Sequence, residues 1–111
     1  MERSYCLNDK VTVKFDPEDG AFTKRLYAAF GELERLQAHH LDGGTDHFLQ
    51  TVRSMREILD SLFDVPICGP LFGGIRPGAL AGGSPLWRNL LCAVMLQAGI
   101  VPPSSNEGGG G

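Results

Sequence analysis

Between Ser84-Pro85 and Gly99 the chain is apolar on nearly every side: Leu86, Trp87, Leu90, Leu91, Val94, Met95 and Leu96 leave only Arg88, Asn89 and Gln97 as polar positions. A helix of that composition has no solvated face and must be covered on more than one side. Its ends are marked: Ser84 can serve as N-cap and Pro85 as first helical residue, while Gly99 suits the C′ position and Pro102-Pro103 forbids continuation. The helix is therefore a central core helix, or a core helix whose outer face, with Trp87 and Met95, is a subunit or peptide interface. Either way the remaining residues must supply its cover.

A chain of 111 residues is long enough for one such core and no more. From Ala21 to Leu41 the positions Phe22, Leu26, Phe30, Leu33 and Leu36 or Leu41 recur every three or four residues, with Tyr27 and Ala29 widening the stripe, which predicts a long amphipathic helix. A second helix is expected from Thr45 or Asp46, either of which can cap it, to about Asp64. Its stripe is Phe48, Val52, Met55, Leu59 and Leu62, broadened by Leu49, Ile58 and Phe63. Arg53, Arg56, Glu57 and Asp60 fall opposite, where Arg56–Asp60 and Arg53–Glu57 are i,i+4 pairs of a solvated face, each worth about 0.2 to 0.5 kcal/mol.

Upstream, Val11, Val13 and Phe15 alternate with Thr12 and Lys14, and Asn8-Asp9 offers a tight turn back to Tyr5-Cys6-Leu7. An isolated hairpin is marginal in water, so its apolar face must lie on a helix or on another subunit. Asp16-Pro17-Glu18-Asp19-Gly20 then turns the chain into the first helix. Fold class follows: mainly α (α+β), three helices with an N-terminal β-hairpin and a Gly/Pro-rich loop before the last helix. Residues 1–101 form a single domain, and 102–111 a Pro/Ser/Gly-rich tail of disordered character.

That loop, Pro66 to Gly83, follows Val65-Pro66, which ends the second helix because a residue before proline is pushed out of the helical region. Ile67, Leu71, Phe72, Ile75 and Leu80 are set among its glycines. No Gly-Lys-Ser/Thr or GxGxxG sequence accompanies them, so a phosphate loop is not indicated. Apolar residues between glycines fit a loop that folds back on the core or anchors in a partner's groove.

Reaction chemistry is not legible. His39, His40 and His47 with Asp42 and Asp46 lack the i,i+4 spacing of a zinc helix, and Asp16, Glu18 and Asp19 lack the alternation of a calcium loop. No Ser/His/Asp or Cys/His motif is present, and Glu32 and Glu34 face solvent. Three cysteines, Cys6, Cys68 and Cys92, without CxxC spacing or a secretory leader, point to reduced thiols in a cytosolic setting. A net charge of −3 gives no field for nucleic acid. The longest apolar run, Leu90 to Leu96, falls far short of the roughly 18 residues of a membrane span. The expectation is a non-enzyme with no cofactor and no metal.

In order of parts, from about Tyr5 to Gly99, the chain resembles the tail assembly chaperone-like proteins of tailed phages. The likeness rests on the hairpin leading through Val11 to Phe15 into Asp16 and Asp19, the long charged helix, a second helix closing on Leu62-Phe63-Asp64, then Leu71-Phe72-Gly73-Gly74 and a last apolar helix. It departs at Pro66 to Pro70 and in the extended stretch from Ile75 to Pro85. The resemblance implies a role in virion morphogenesis in the host cell cytoplasm, coating the tape measure protein and helping tail tube protein assemble around it as a homo-oligomer. Phe63, Asp64, Leu71, Phe72, Trp87 and Met95 are then the expected protein-interaction residues. A structural tail or head-tail joining component and a small helical protein-binding module are the alternative functions.

Overall fold

The computed structural model describes residues 1–39 and 43–102. His40, Leu41, Asp42 and most of the expected tail lie outside them. The fold class is as expected, a mainly α domain with an N-terminal antiparallel hairpin. Strands β1 (Arg3–Leu7) and β2 (Val11–Phe15) pair with Tyr5 opposite Val13 and Leu7 opposite Val11. Asn8 and Asp9 both take positive φ, 52° and 57°, and the Lys10 N–H donates to the Leu7 carbonyl at 3.0 Å. This is the type I′ geometry that suits the right-handed twist of the strands.

Helices α1 (Gly20–His39) and α2 (Gly44–Phe63) follow. The α1 stripe is buried as the spacing predicts, through Phe22, Leu26, Phe30 and Leu33. In α2 the buried set is Thr51, Met55, Leu59, Leu62 and Phe63. Thr51 enters the core because its hydroxyl donates to the His47 carbonyl at 2.9 Å, which removes the cost of burying it. The expected caps Thr45 and Asp46 lie inside the helix, which starts after Gly43 without a side-chain cap.

The loop before the last helix is more ordered than its composition suggests. It holds a single-turn helix, α3 (Cys68–Phe72), and a two-residue pairing of β3 (Leu80–Ala81) with β4 (Ser84–Pro85) around Gly82-Gly83, both at positive φ. Helix α4 spans Leu86–Ala98. Its start is a correction: Ser84 belongs to β4, and Pro85, extended at φ −60° and ψ 147°, is the N-cap. The first N–H groups of α4 are satisfied by loop carbonyls instead, Leu86 by Ala79 at 2.8 Å and Trp87 by Pro77 at 3.0 Å. Gly99 closes the helix as expected, with Ile100 donating to Met95 and Gly99 to Leu96, a Schellman motif.

Packing explains the hairpin. Its apolar face, Tyr5, Leu7, Val13 and Phe15, is buried against the chain's own helices. Tyr5 stacks on Phe15 at 4.6 Å between centroids and Phe15 on Phe22 at 4.4 Å, while Phe63 leans on both phenylalanines. At the far end Trp87 meets Phe30 edge to face at 5.2 Å, and its indole N–H donates to Gln37 Oε1 at 3.1 Å. Gln37 Nε2 in turn donates to the Gly78 carbonyl, tying α1 to the loop. An Arg88–Glu34 ion pair joins α4 to α1.

Candidate functional site

The six expected interaction residues do not form one surface. Trp87 and Met95 are 0% exposed, so the face of α4 that carries them is the covered one. The expectation that they front an outer interface is corrected for a simple reason: α1 and the hairpin already occupy that side. Phe63 is buried in the aromatic stack, and Phe72 is buried and lines a groove. Leu71 is half-buried in the same groove. Asp64 is exposed and serves the backbone.

Asp64 occupies the left-handed region at φ 57° and ψ 31°. There its N–H reaches the Ser61 carbonyl and the Val65 N–H reaches Asp60, so Phe63-Asp64 is a second Schellman ending, made without glycine. Gly73, at φ 56° and ψ −124°, holds the first central position of a type II′ turn closed by the Ile75 N–H on the Phe72 carbonyl at 2.9 Å. Such backbone favours glycine strongly. Gly74, at the second position, has no positive φ. Both short motifs are thus devices that redirect the chain between α2 and α4.

Two side chains that the spacing assigns to a solvated ion pair position this link. Asp60 Oδ1 accepts from the backbone N–H groups of Ile67 at 2.9 Å and Cys68 at 3.0 Å, and so caps α3 from the neighbouring helix. One turn earlier, Arg56 Nη2 donates to the carbonyls of Gly73 at 2.8 Å and Ile75 at 2.9 Å. Cys68 lies beneath, 1% exposed, and burial together with the Asp60 charge pushes its thiol up to about 12. Burial also raises the Cys92 thiol. Both shifts run opposite to the lowered pKa of an activated nucleophile.

The link forms one wall of a groove of about 250 Å³. Leu71, Phe72 and Ile75 stand on that side, and Leu7 and Asn8 at the hairpin turn close one end. Its floor is a stripe of α4, Leu86, Leu90 and Ala93, continued by Gln97, about three turns long. Ile75 is 56% exposed at that wall. The polar lining is confined to the amides of Asn8, Asn89 and Gln97, with no charged side chain. A second, shallower groove between α1 and α2 is rimmed by Arg25, Glu32 and Glu57. Sequence reasoning places Ile75 among the loop's apolar residues but leaves both it and Leu86 out of the expected interaction set; the available signal was an isoleucine directly after Gly73-Gly74.

Among the described residues no group of three histidine, cysteine, aspartate or glutamate side chains is placed to hold a metal ion. Nor, among them, is any helix long and apolar enough to cross a membrane. No protein-family model, curated protein or solved structure matches the chain.

Proposed function

We propose that this chain is a non-enzymatic protein-binding module that works as a phage tail assembly chaperone in the host cytoplasm, without a cofactor. In this reading it binds an apolar helical segment of the tape measure protein and acts as a homo-oligomer while tail tube protein assembles. The observation that carries it is the uncharged groove along α4. A trough with an apolar floor about two turns long, extended by Gln97 and carrying only neutral amides as polar side chains, suits an amphipathic helix laid in by its i, i+3, i+4 and i+7 residues. The order of hairpin, two long helices, link and apolar helix supports the same reading through the resemblance.

Co-expression with the tape measure protein tests it. The wild-type chain should keep that protein soluble and co-purify with it. Ile75→Asp, which places a charge at the exposed groove wall, should weaken the complex at least about tenfold while leaving circular dichroism unchanged. A tape measure protein that stays insoluble regardless, or this chain recovered stoichiometrically from purified virions, would overturn the reading, the latter in favour of a structural component.

A further inference from the structure

Between Val65 and Arg76 the backbone is satisfied differently from the rest of the fold. Its own bonds are local, within α3 and the Phe72–Ile75 turn. Its polar attachment to α2 is made by Asp60, which accepts from Ile67 and Cys68, by Arg56, whose side chain donates to Gly73 and Ile75 and whose carbonyl accepts from the Cys68 thiol at 3.7 Å, and by the Arg76 guanidinium, 5.4 Å from the Phe48 ring centroid. Both ends are fixed separately: Asp64 and Val65 by the Schellman ending of α2, and Pro77 and Gly78 by the Trp87 N–H and the Gln37 amide.

We propose that residues 66–76 are a strap that opens as one unit while the hairpin, α1, α2 and α4 stay folded, with Arg56 and Asp60 as its latch. Opening turns on the left-handed Asp64 at one end and the hydrogen-bonded Pro77 at the other. It lifts Ile67, Cys68 and Phe72 out of the core and carries away the groove wall formed by Leu71, Phe72 and Ile75. Most of the fully covered core, including Trp87, Leu26, Leu33, Met55, Leu59, Leu91, Val94 and Met95, belongs to other elements and stays packed. Sub-global opening of this kind costs less than unfolding whenever the departing segment holds the minority of the buried contacts. The inference is independent of what the groove binds.

The chain carries its own reporters. Cys6 is exposed and open to the reagent; Cys68, itself part of the strap, is 1% exposed against the core and is out of the reagent's reach while the strap is closed. Alkylation of the full-length protein by iodoacetamide, read by peptide mass spectrometry across a urea series, is compared with hydrogen exchange at the Leu91 and Val94 amides. Cys68 should label more slowly than Cys6, yet faster than global unfolding permits and with a weaker urea dependence than those amides. Arg56→Met and Asp60→Ala should each accelerate Cys68 labelling about tenfold without altering exchange at Leu91 and Val94. Asp60→Asn, which keeps an acceptor oxygen, should restore part of the protection. Identical urea dependence of Cys68 and the α4 amides in the wild type would overturn the strap, and requires no variant. Unchanged Cys68 labelling, or equal acceleration at Leu91 and Val94, would overturn the latch.

Discussion

The aromatic stack under the hairpin and the link between α2 and α4 are both buried, yet they are held by different means. Tyr5, Phe15, Phe22 and Phe63 meet ring against ring, and their positions follow from alternation in a strand and from the helical period. Ile67, Cys68 and Phe72 are equally covered, but their segment is placed by hydrogen bonds in which Asp60 accepts from the Ile67 and Cys68 N–H groups and Arg56 donates to the carbonyls of Gly73 and Ile75. Apolar contact is non-directional and dictates no particular path of the backbone, whereas a hydrogen bond weakens steeply once its distance or angle is lost. The stack therefore supplies stability, and the link supplies a defined path.

The largest effect expected from this contrast is at Trp87. At 0% exposure, edge to face with Phe30 and bonded to Gln37, it belongs to the apolar core by burial and to the polar network by its indole N–H. Trp87→Ala should cost about 3 to 5 kcal/mol in urea denaturation followed by circular dichroism, a large fraction of the stability of a domain this size. If it instead leaves the midpoint unmoved and affects only partner binding, the side chain is a surface residue and the division between core and link drawn above is wrong.

A smaller and sharper effect is expected within Gly73-Gly74. Nothing lies within 4 Å of a Cβ built at Gly73, so any penalty there comes from backbone alone, at φ 56° and ψ −124°. Gly73→Ala should cost about 1 to 3 kcal/mol by strain. Gly74 has equal space and no positive φ, so Gly74→Ala should be neutral or stabilising by up to about 1 kcal/mol through the unfolded chain. Two adjacent glycines are thus predicted to differ in sign, and equal midpoints for the two variants would remove the type II′ turn from the account.

Legibility in the sequence follows the same division. The Asn8-Asp9 turn, the α1 stripe and the Gly99 ending were readable because each is a local rule: turn chemistry, a period of 3.6, a glycine past the last apolar residue. Helix α3 was hidden because its glycine and proline argue for loop, while the group that caps it, Asp60, comes from another helix. Spacing could show that Arg56 and Asp60 are one turn apart. It carried no sign that Arg56 bonds backbone carbonyls 17 and 19 residues away. The same limit hid the start of α4, whose first N–H groups use Pro77 and Ala79 in place of a side-chain cap. It also explains why Trp87 and Met95 looked available: an all-round apolar helix does not reveal which side its neighbours leave open.

The smallest effect tests the hinge between the two regions. Asp64 has Phe63 in the aromatic stack on one side and half-buried Val65 on the other, and its own backbone sits where a Cβ is unfavourable by about 1 to 2 kcal/mol. Aspartate tolerates this region better than most residues, and glycine pays an entropic cost in the unfolded chain, so the two corrections absorb part of the strain. Asp64→Gly should therefore stabilise by no more than about 1 kcal/mol, read as a higher urea midpoint with an unchanged slope. A gain would mean that burial of Phe63 and Val65 holds Asp64 in a conformation it does not prefer, placing strain at the junction of core and link. A loss would mean that the carboxylate contributes more than its backbone costs, and the hinge would then belong with Asp60 and Arg56 among the polar groups that set the path of the link.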